Sequence, residues 1–303
     1  MTYQYSFKDC LQRAERITWR VEDLIGGDKK LDFSRPFMPE SFARTLDLDF
    51  LNEAEQLKLN QIRGHAYLAI FGLVEEFILP FVLDHARPLV SAADYRARAF
   101  LEFASEEAKH IHLFRRFREE FLAGFGARCD VIGPPEDIAR HVLSHPPLAV
   151  ALLTLHIEWM TQRHYQESIK DDQRLDPQFK SLLLHHWMEE HQHAHLDTLM
   201  VHAIADGLSQ AEIDAGIDAY VELGGFFDGG LEQQTALDLD ALERAIGRTL
   251  TDAQREAFRP QQLQANRWTY LGSGMTHPRF LETLGQLSAP KRRAIEEAAA
   301  GFC

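Results

Sequence analysis

The chain has 303 residues, 45% of them hydrophobic, enough to bury one large core or two modest ones. A formal charge of −14, with acids and bases interspersed, argues against general attraction to nucleic acid or an anionic membrane. Cys10, Cys129 and Cys303 form no Cys-x-x-Cys pair, and no apolar leader or uninterrupted apolar run of membrane length stands out. Zinc ribbons, rubredoxin-type iron sites, disulfide frameworks, secretion and membrane insertion therefore lose support, and a reducing, cytoplasmic setting is the expectation.

Residues 1–51 read as a mixed segment: an amphipathic piece around Cys10–Ile25, a Gly26-Gly27 break, then an extended stretch holding Pro36 and Pro39. Asn52-Glu-Ala-Glu55 has capping-box spacing and predicts a helix running to about Asp84. A second helix is expected from near Ser91-Ala-Ala-Asp94 to Gly124, followed by a loop over 125–145. Pro146-Pro147 suits the start of a third helix reaching about Lys170, and Asp176-Pro177 opens a fourth that ends at Gly207. These are four helices of roughly 24 to 33 residues, about 36–50 Å long. Short links within each pair and a longer one between them outline a four-helix bundle over 52–207. The tail, 208–303, carries capping signals at Ser209–Glu212 and Thr251–Gln254 and is expected to pack on the bundle as extra helices. Within it, "GGFFDGG" (224–230) lacks the strand-then-helix context of a phosphate loop and reads as a turn or lid.

The ionisable residues fall on these helices in a pattern. In the second, Phe100, Phe103, Glu107, His110, Phe114, Phe117 and Phe121 make one continuous face, aromatic except at its centre. A carboxylate and an imidazole inside a phenylalanine stripe would be desolvated without compensation, which a metal ion supplies. The fourth helix repeats the arrangement, with Glu190 and His193 on a stripe with Phe179, Leu183, His186, Asp197 and Met200. The third helix holds a lone acid, Glu158, and the first holds Glu75 and Glu76 in the apolar run "LAIFGLVEEFILP". Glu107 follows Glu75 by 32 residues and Glu190 follows Glu158 by the same 32, which favours Glu75 and keeps Glu76 as its alternate. Two lone carboxylates and two Glu-x-x-His pairs are the ligands of a carboxylate-bridged di-metal centre, and this hard donor set suits iron, with manganese as the alternative. The bland reading has both Glu-x-x-His pairs as solvated surface groups.

The pattern resembles the ferritin-like di-iron carboxylate proteins over residues 52–207. With His186 four residues before Glu190 it looks like the 4-aminobenzoate N-oxygenase family, whose centre carries one histidine more than most relatives. That resemblance implies Glu75 (or Glu76), Glu107, His110, Glu158, His186, Glu190 and His193 as metal ligands. It also implies two iron ions, O2 as co-substrate and oxidation of arylamine nitrogen. Asp197 is expected either to accept a hydrogen bond from a ligating imidazole or to pair with an arginine, and Tyr165 is a hydroxyl near the site. Trp159 and Trp187 adjoin the candidate ligands; Thr154 and Tyr165, on the helical face of Glu158, are read either as hydroxyl donors to activated oxygen or as helix-packing residues; His112 and His156 read as structural. The expectation is a non-haem di-iron oxygenase or oxidase acting on a small organic substrate. It would be fed by an external reductase or ferredoxin, with a homodimer left open. The alternatives are a ferroxidase or iron-storage bundle and a di-manganese or RNA-hydroxylating relative.

Overall fold

The computed structural model describes residues 5–91 and 94–303, and among these the regular structure is helical. In chain order the helices are α1 (Phe7–Ala14), α2 (Glu40–Ala43), α3 (Glu53–Ala86), α4 (Arg96–Phe125), α5 (Pro135–Leu143) and α6 (Pro147–Arg163). After them come α7 (Pro177–Ala205), α8 (Gln210–Ile246), α9 (Asp252–Arg267), α10 (Ser273–Met275), α11 (Pro278–Leu287) and α12 (Ala289–Ala299). The expected caps are present: Asn52 and Glu55, Ser209 and Glu212, and Thr251 and Gln254 form capping boxes, and Asp176 caps Phe179 N of α7. The expected start of the second helix includes Ala92 and Ala93, which lie outside the described residues, and α4 opens at Arg96.

Four long helices form the bundle. α3 packs against α4, α6 against α7, and α4 also meets α7. The remaining helices cover its seams. α1 lies across α4 and α7, while α8 lies across α3 and α6, so the tail supplies a fifth long helix to the core. Buried polar contacts tie it there: Arg63 of α3 pairs with Asp238 of α8 at 3.5 Å and donates to Asn266 of α9. α3 contains a window of mean hydropathy 1.9, long and apolar enough to cross a membrane, but 72% of that window is buried inside the protein. Burial in the bundle core accounts for its composition.

The 36–39 segment is extended as expected and is strapped to α3. Asn60 Oδ1 accepts from the backbone of Phe37 (2.8 Å) and Met38 (3.0 Å), and Asn60 Nδ2 donates to Met38 O at 2.8 Å. The strap approaches so closely that a Cβ on Gly64 would meet Phe37 at 2.8 Å.

Three local expectations are corrected. The 125–145 loop contains α5, which packs on α3. The third helix widens to a π-helix over His164–Ile169. "GGFFDGG" is neither turn nor lid but lies inside the 37-residue α8. Glycine disfavours helix, yet here the stretch is held by tertiary contacts: Phe227 packs on Phe77, and Asp228 pairs with Arg267 at 2.6 Å. A Cβ on Gly225 would meet nothing within 4 Å. Gly225→Ala is therefore expected to stabilise the protein by about 0.5–1 kcal/mol, read from the urea midpoint at unchanged slope. A lower midpoint would show that this stretch needs the freedom of glycine.

Candidate metal centre

Each Glu-x-x-His places its two donors on one helical face, and packing α4 against α7 turns both faces inward. Glu75, Glu107, His110, Glu158, His186, Glu190 and His193 are all at most 3% exposed. Two overlapping donor groups form among the described residues: Glu75, His110, His186 and Glu190, and Glu107, His110, Glu190 and His193. Glu190 and His110 belong to both, and Glu190 is the shared carboxylate. His186 Nε2 lies 2.7 Å from Glu190 Oε1 and 3.2 Å from Glu75 Oε1. His193 Nδ1 lies 2.9 Å from Glu107 Oε1 and 3.0 Å from Glu190 Oε2, and His110 Nδ1 lies 3.0 Å from Glu190 Oε1. Glu158 stands outside both groups but hydrogen-bonds Glu190. Glu76 faces outward, where it accepts from Arg115 at 2.7 Å.

Two carboxylates beside the inner set do what Asp197 was expected to do. Glu189 Oε2 accepts from His110 Nε2 at 2.8 Å, and its Oε1 accepts from Lys109. Glu106 Oε2 accepts from His193 Nε2 at 2.7 Å and takes Gln192 Nε2 at 3.2 Å on its other oxygen. Each is the glutamate immediately before an inward glutamate, in "EEAKH" on α4 and "EEHQH" on α7. Antiparallel packing lets each reach across to the other helix's histidine. These bonds fix the proton on Nε2 and leave Nδ1 of His110 and His193 aimed at the cluster. The repeated Glu-Glu-x-x-His was the signal available in the sequence. Neither Glu106 nor Glu189 lies on the inward stripe of its own helix; each reaches its histidine sideways, which the periodicity of one helix does not reveal.

Asp197 is fully buried, and neither of its oxygens has a hydrogen-bond partner. Burial pushes its carboxyl well above the usual range, and the Glu190 charge adds to this against the pull of His193. Tyr165 stacks on Trp187 at 4.5 Å. It sits in the π-helix, so the α-helical period that aligned it with Glu158 no longer applies. Trp159 stacks on His277 at 5.0 Å, Thr154 bonds back to Val150 O, and His156 Nδ1 meets the Tyr220 hydroxyl at 2.7 Å, all packing roles. His112 is exposed. Of the remaining histidine-rich stretch, His185 bonds the Ser181 carbonyl, and His191 and His195 meet Arg13 of α1. Trp19, in the N-terminal segment, covers the centre from outside: its ring is parallel to that of His110 at 6.2 Å, with the Lys109 ammonium 4.0 Å above it.

The donor set fits a pair of divalent cations. Glu75 Oε2, both oxygens of Glu107, His110 Nδ1, Glu158 Oε2 and Glu190 Oε1 are buried with no hydrogen-bond partner, a converging set of orphaned donors in an apolar bundle. The four inner carboxylates balance two divalent charges, and oxygen with imidazole suits iron or manganese. Cys10 belongs to neither donor group.

Protons occupy the centre in the metal-free chain. Burial disfavours the charged forms of His110 and His193, but Glu190 and the hydrogen bonds of Glu189 and Glu106 outweigh it and hold both imidazoles well above their ordinary range. Burial also works against the Glu190 carboxylate, yet the charges of His186 and His193 hold it well below the usual carboxylate range. Burial and the Glu190 charge push Glu158 well above that range. A metal must therefore displace imidazole protons, so its affinity should rise as the pH climbs above the ordinary imidazole range. Titration calorimetry with Co(II) in buffers of different ionisation enthalpy should show protons released on binding. A pH-independent affinity would mean that the imidazoles are already neutral.

No family model matches the chain, and no curated protein matches it. Solved structures do align with it at low identity. An R2-like ligand-binding oxidase variant with an anaerobically reconstituted Mn/Fe cofactor aligns at 16% identity and TM-score 0.48, over 89% of this chain and 94% of that one. A variant with an aerobically reconstituted Fe/Fe cofactor gives 18% and 0.48, over 88% and 94%. An R2-like ligand-binding oxidase with an aerobically reconstituted Mn/Fe cofactor gives 15% and 0.48, over 89% and 93%. At these values the likeness is one of helical arrangement, and any functional reading rests on the side chains.

Proposed function

We propose that this chain is a non-haem di-iron oxidase or oxygenase that uses O2 on a small organic substrate, with an external protein as electron donor. The observation that carries the reading is the pair of buried donor groups sharing Glu190, with orphaned oxygens and nitrogens converging inside an apolar bundle. Glu75, His110 and His186 would hold one ion and Glu107 and His193 the other, with Glu190 between them and Glu158 beside it. Bound iron would supply O2 reduction and the oxidising equivalents. Glu106 and Glu189 hold the tautomers of His193 and His110, so that Nδ1 of each stays available as a donor. The surrounding phenylalanines exclude water: Phe103 stacks on His193 at 3.9 Å, and Phe71 and Phe114 meet His186 edge-on at 5.5 and 5.0 Å. Within this reading the spacing of His186, Glu190 and His193 favours oxidation of an amine nitrogen, by its resemblance to the N-oxygenases.

The test is to load metal-free protein anaerobically with Fe(II), measure iron per chain, and add O2 in a stopped flow. Two irons per chain, oxidised without further uptake, support the oxidase. Continued iron uptake into a mineral core would mean storage, and no stoichiometric iron would sink the reading.

A further inference from the structure

The donor residues of the metal cluster are at most 3% exposed, so a gas that reacts there must pass between buried side chains. α8 packs on both α3 and α6, and the π-helix Trp268–Gly272 reaches α3 through Tyr270, whose ring lies 6.5 Å from that of Phe71. That junction leaves a cavity of about 30 Å³, enclosed by side chains that include Phe71, Val74, Leu153, Ile157, Phe227 and Tyr270. Its lining is apolar apart from the Tyr270 phenol. The space holds about two water-sized spheres, but an apolar cavity of this kind stays dry and takes up apolar gases such as xenon.

The cavity abuts the centre. Phe71 lies one turn before Glu75 on the same face of α3, and its ring meets the His186 ring edge-on at 5.5 Å. Val74 and Ile157 immediately precede Glu75 and Glu158. On the outer side, Ile132 and Phe227 are only half-buried, which makes this the thin wall towards solvent.

We propose that this cavity is the dioxygen antechamber of the metal centre, an inference that rests on the functional reading above. A diatomic, uncharged molecule fits its size and polarity, whereas water would forfeit hydrogen bonds there. The tail thus does more than brace the bundle: α8 and the 268–272 segment form the walls of the gas route.

The test uses the full chain, pressurised with xenon and followed by 129Xe NMR. It is paired with Leu153→Phe and, independently, Leu231→Phe, either of which fills the space. Wild type should bind xenon and both variants should lose it. Both should still take up two Fe(II) per chain, while their oxidation by dissolved O2 slows about tenfold, one decade in a barrier-limited rate. Filled variants that react with O2 as fast as wild type would overturn the assignment, as would a wild type that binds iron but no xenon. A wild type that binds xenon but no iron overturns the functional reading, and with it the assignment of the cavity to dioxygen.

Discussion

Replacing Glu190 by glutamine is expected to empty both metal positions. Its two oxygens face three imidazoles, at 2.7 Å from His186, 3.0 Å from His110 and 3.0 Å from His193, and it is the one carboxylate common to both donor groups. Glutamine keeps the volume but removes the charge and the second anionic oxygen, so neither position retains its shared ligand. Iron per chain after anaerobic loading and gel filtration should fall from two to near zero, while circular dichroism stays helical. Thermal melting gives an independent reading. A metal that binds only the folded chain stabilises it by about 4 kcal/mol at a thousandfold excess over its dissociation constant. Chelation should therefore lower the wild-type melting temperature and leave that of Glu190→Gln unchanged. A variant that still carries two irons would remove Glu190 from the centre.

The second large effect belongs to the carboxylates that hold the histidines. Glu106→Gln and Glu189→Gln replace no inner donor, yet each weakens the hydrogen bond that sets the tautomer of one imidazole. Losses of such partners cost roughly 10–100-fold in metal affinity. Glu106→Gln should weaken the position that uses His193, and Glu189→Gln the one that uses His110. The free energies should not simply add in the double variant, because both imidazoles meet Glu190 and couple through it. A two-site isotherm resolves them. Glu189→Gln also deprives Lys109 of its ion pair, but that side chain is 25% exposed and can turn to water, so the fold should survive. Affinities within twofold of wild type for both variants would show that packing alone orients the imidazoles.

Much of the bundle and most of the inner cluster were legible in advance. Caps such as Asn52 and Asp176 are local in sequence and set helix starts through bonds made within three residues. The phenylalanine stripe around Glu107 and His110 has one face, so whatever that helix packs on must meet those two groups. Glu75 and Glu76 differ by about 100° around α3, and the 32-residue spacing had already favoured the one that is buried.

What failed did so where the periodicity of one helix is not the deciding quantity. Tyr165 left its expected line because the helix widens to π at His164. "GGFFDGG" became helix because contacts through Phe227 and Asp228 outweigh weak local propensity. Glu106 and Glu189 acquired their role from antiparallel packing that sets each beside the other helix's histidine, and Asp197, placed by pattern alone, has no imidazole within reach of a hydrogen bond. The sequence by itself determined four helices, their caps and inward faces, and a set of carboxylates and imidazoles too polar to be buried without a cation, because each of these depends on residues a few positions apart. Only the tertiary structure decided which outer carboxylate holds which histidine, that α1 and Trp19 cover the centre, and that α8 leaves a cavity against it. Those features join residues far apart in sequence, 79 positions for His110 and Glu189, and their geometry follows from how whole helices pack.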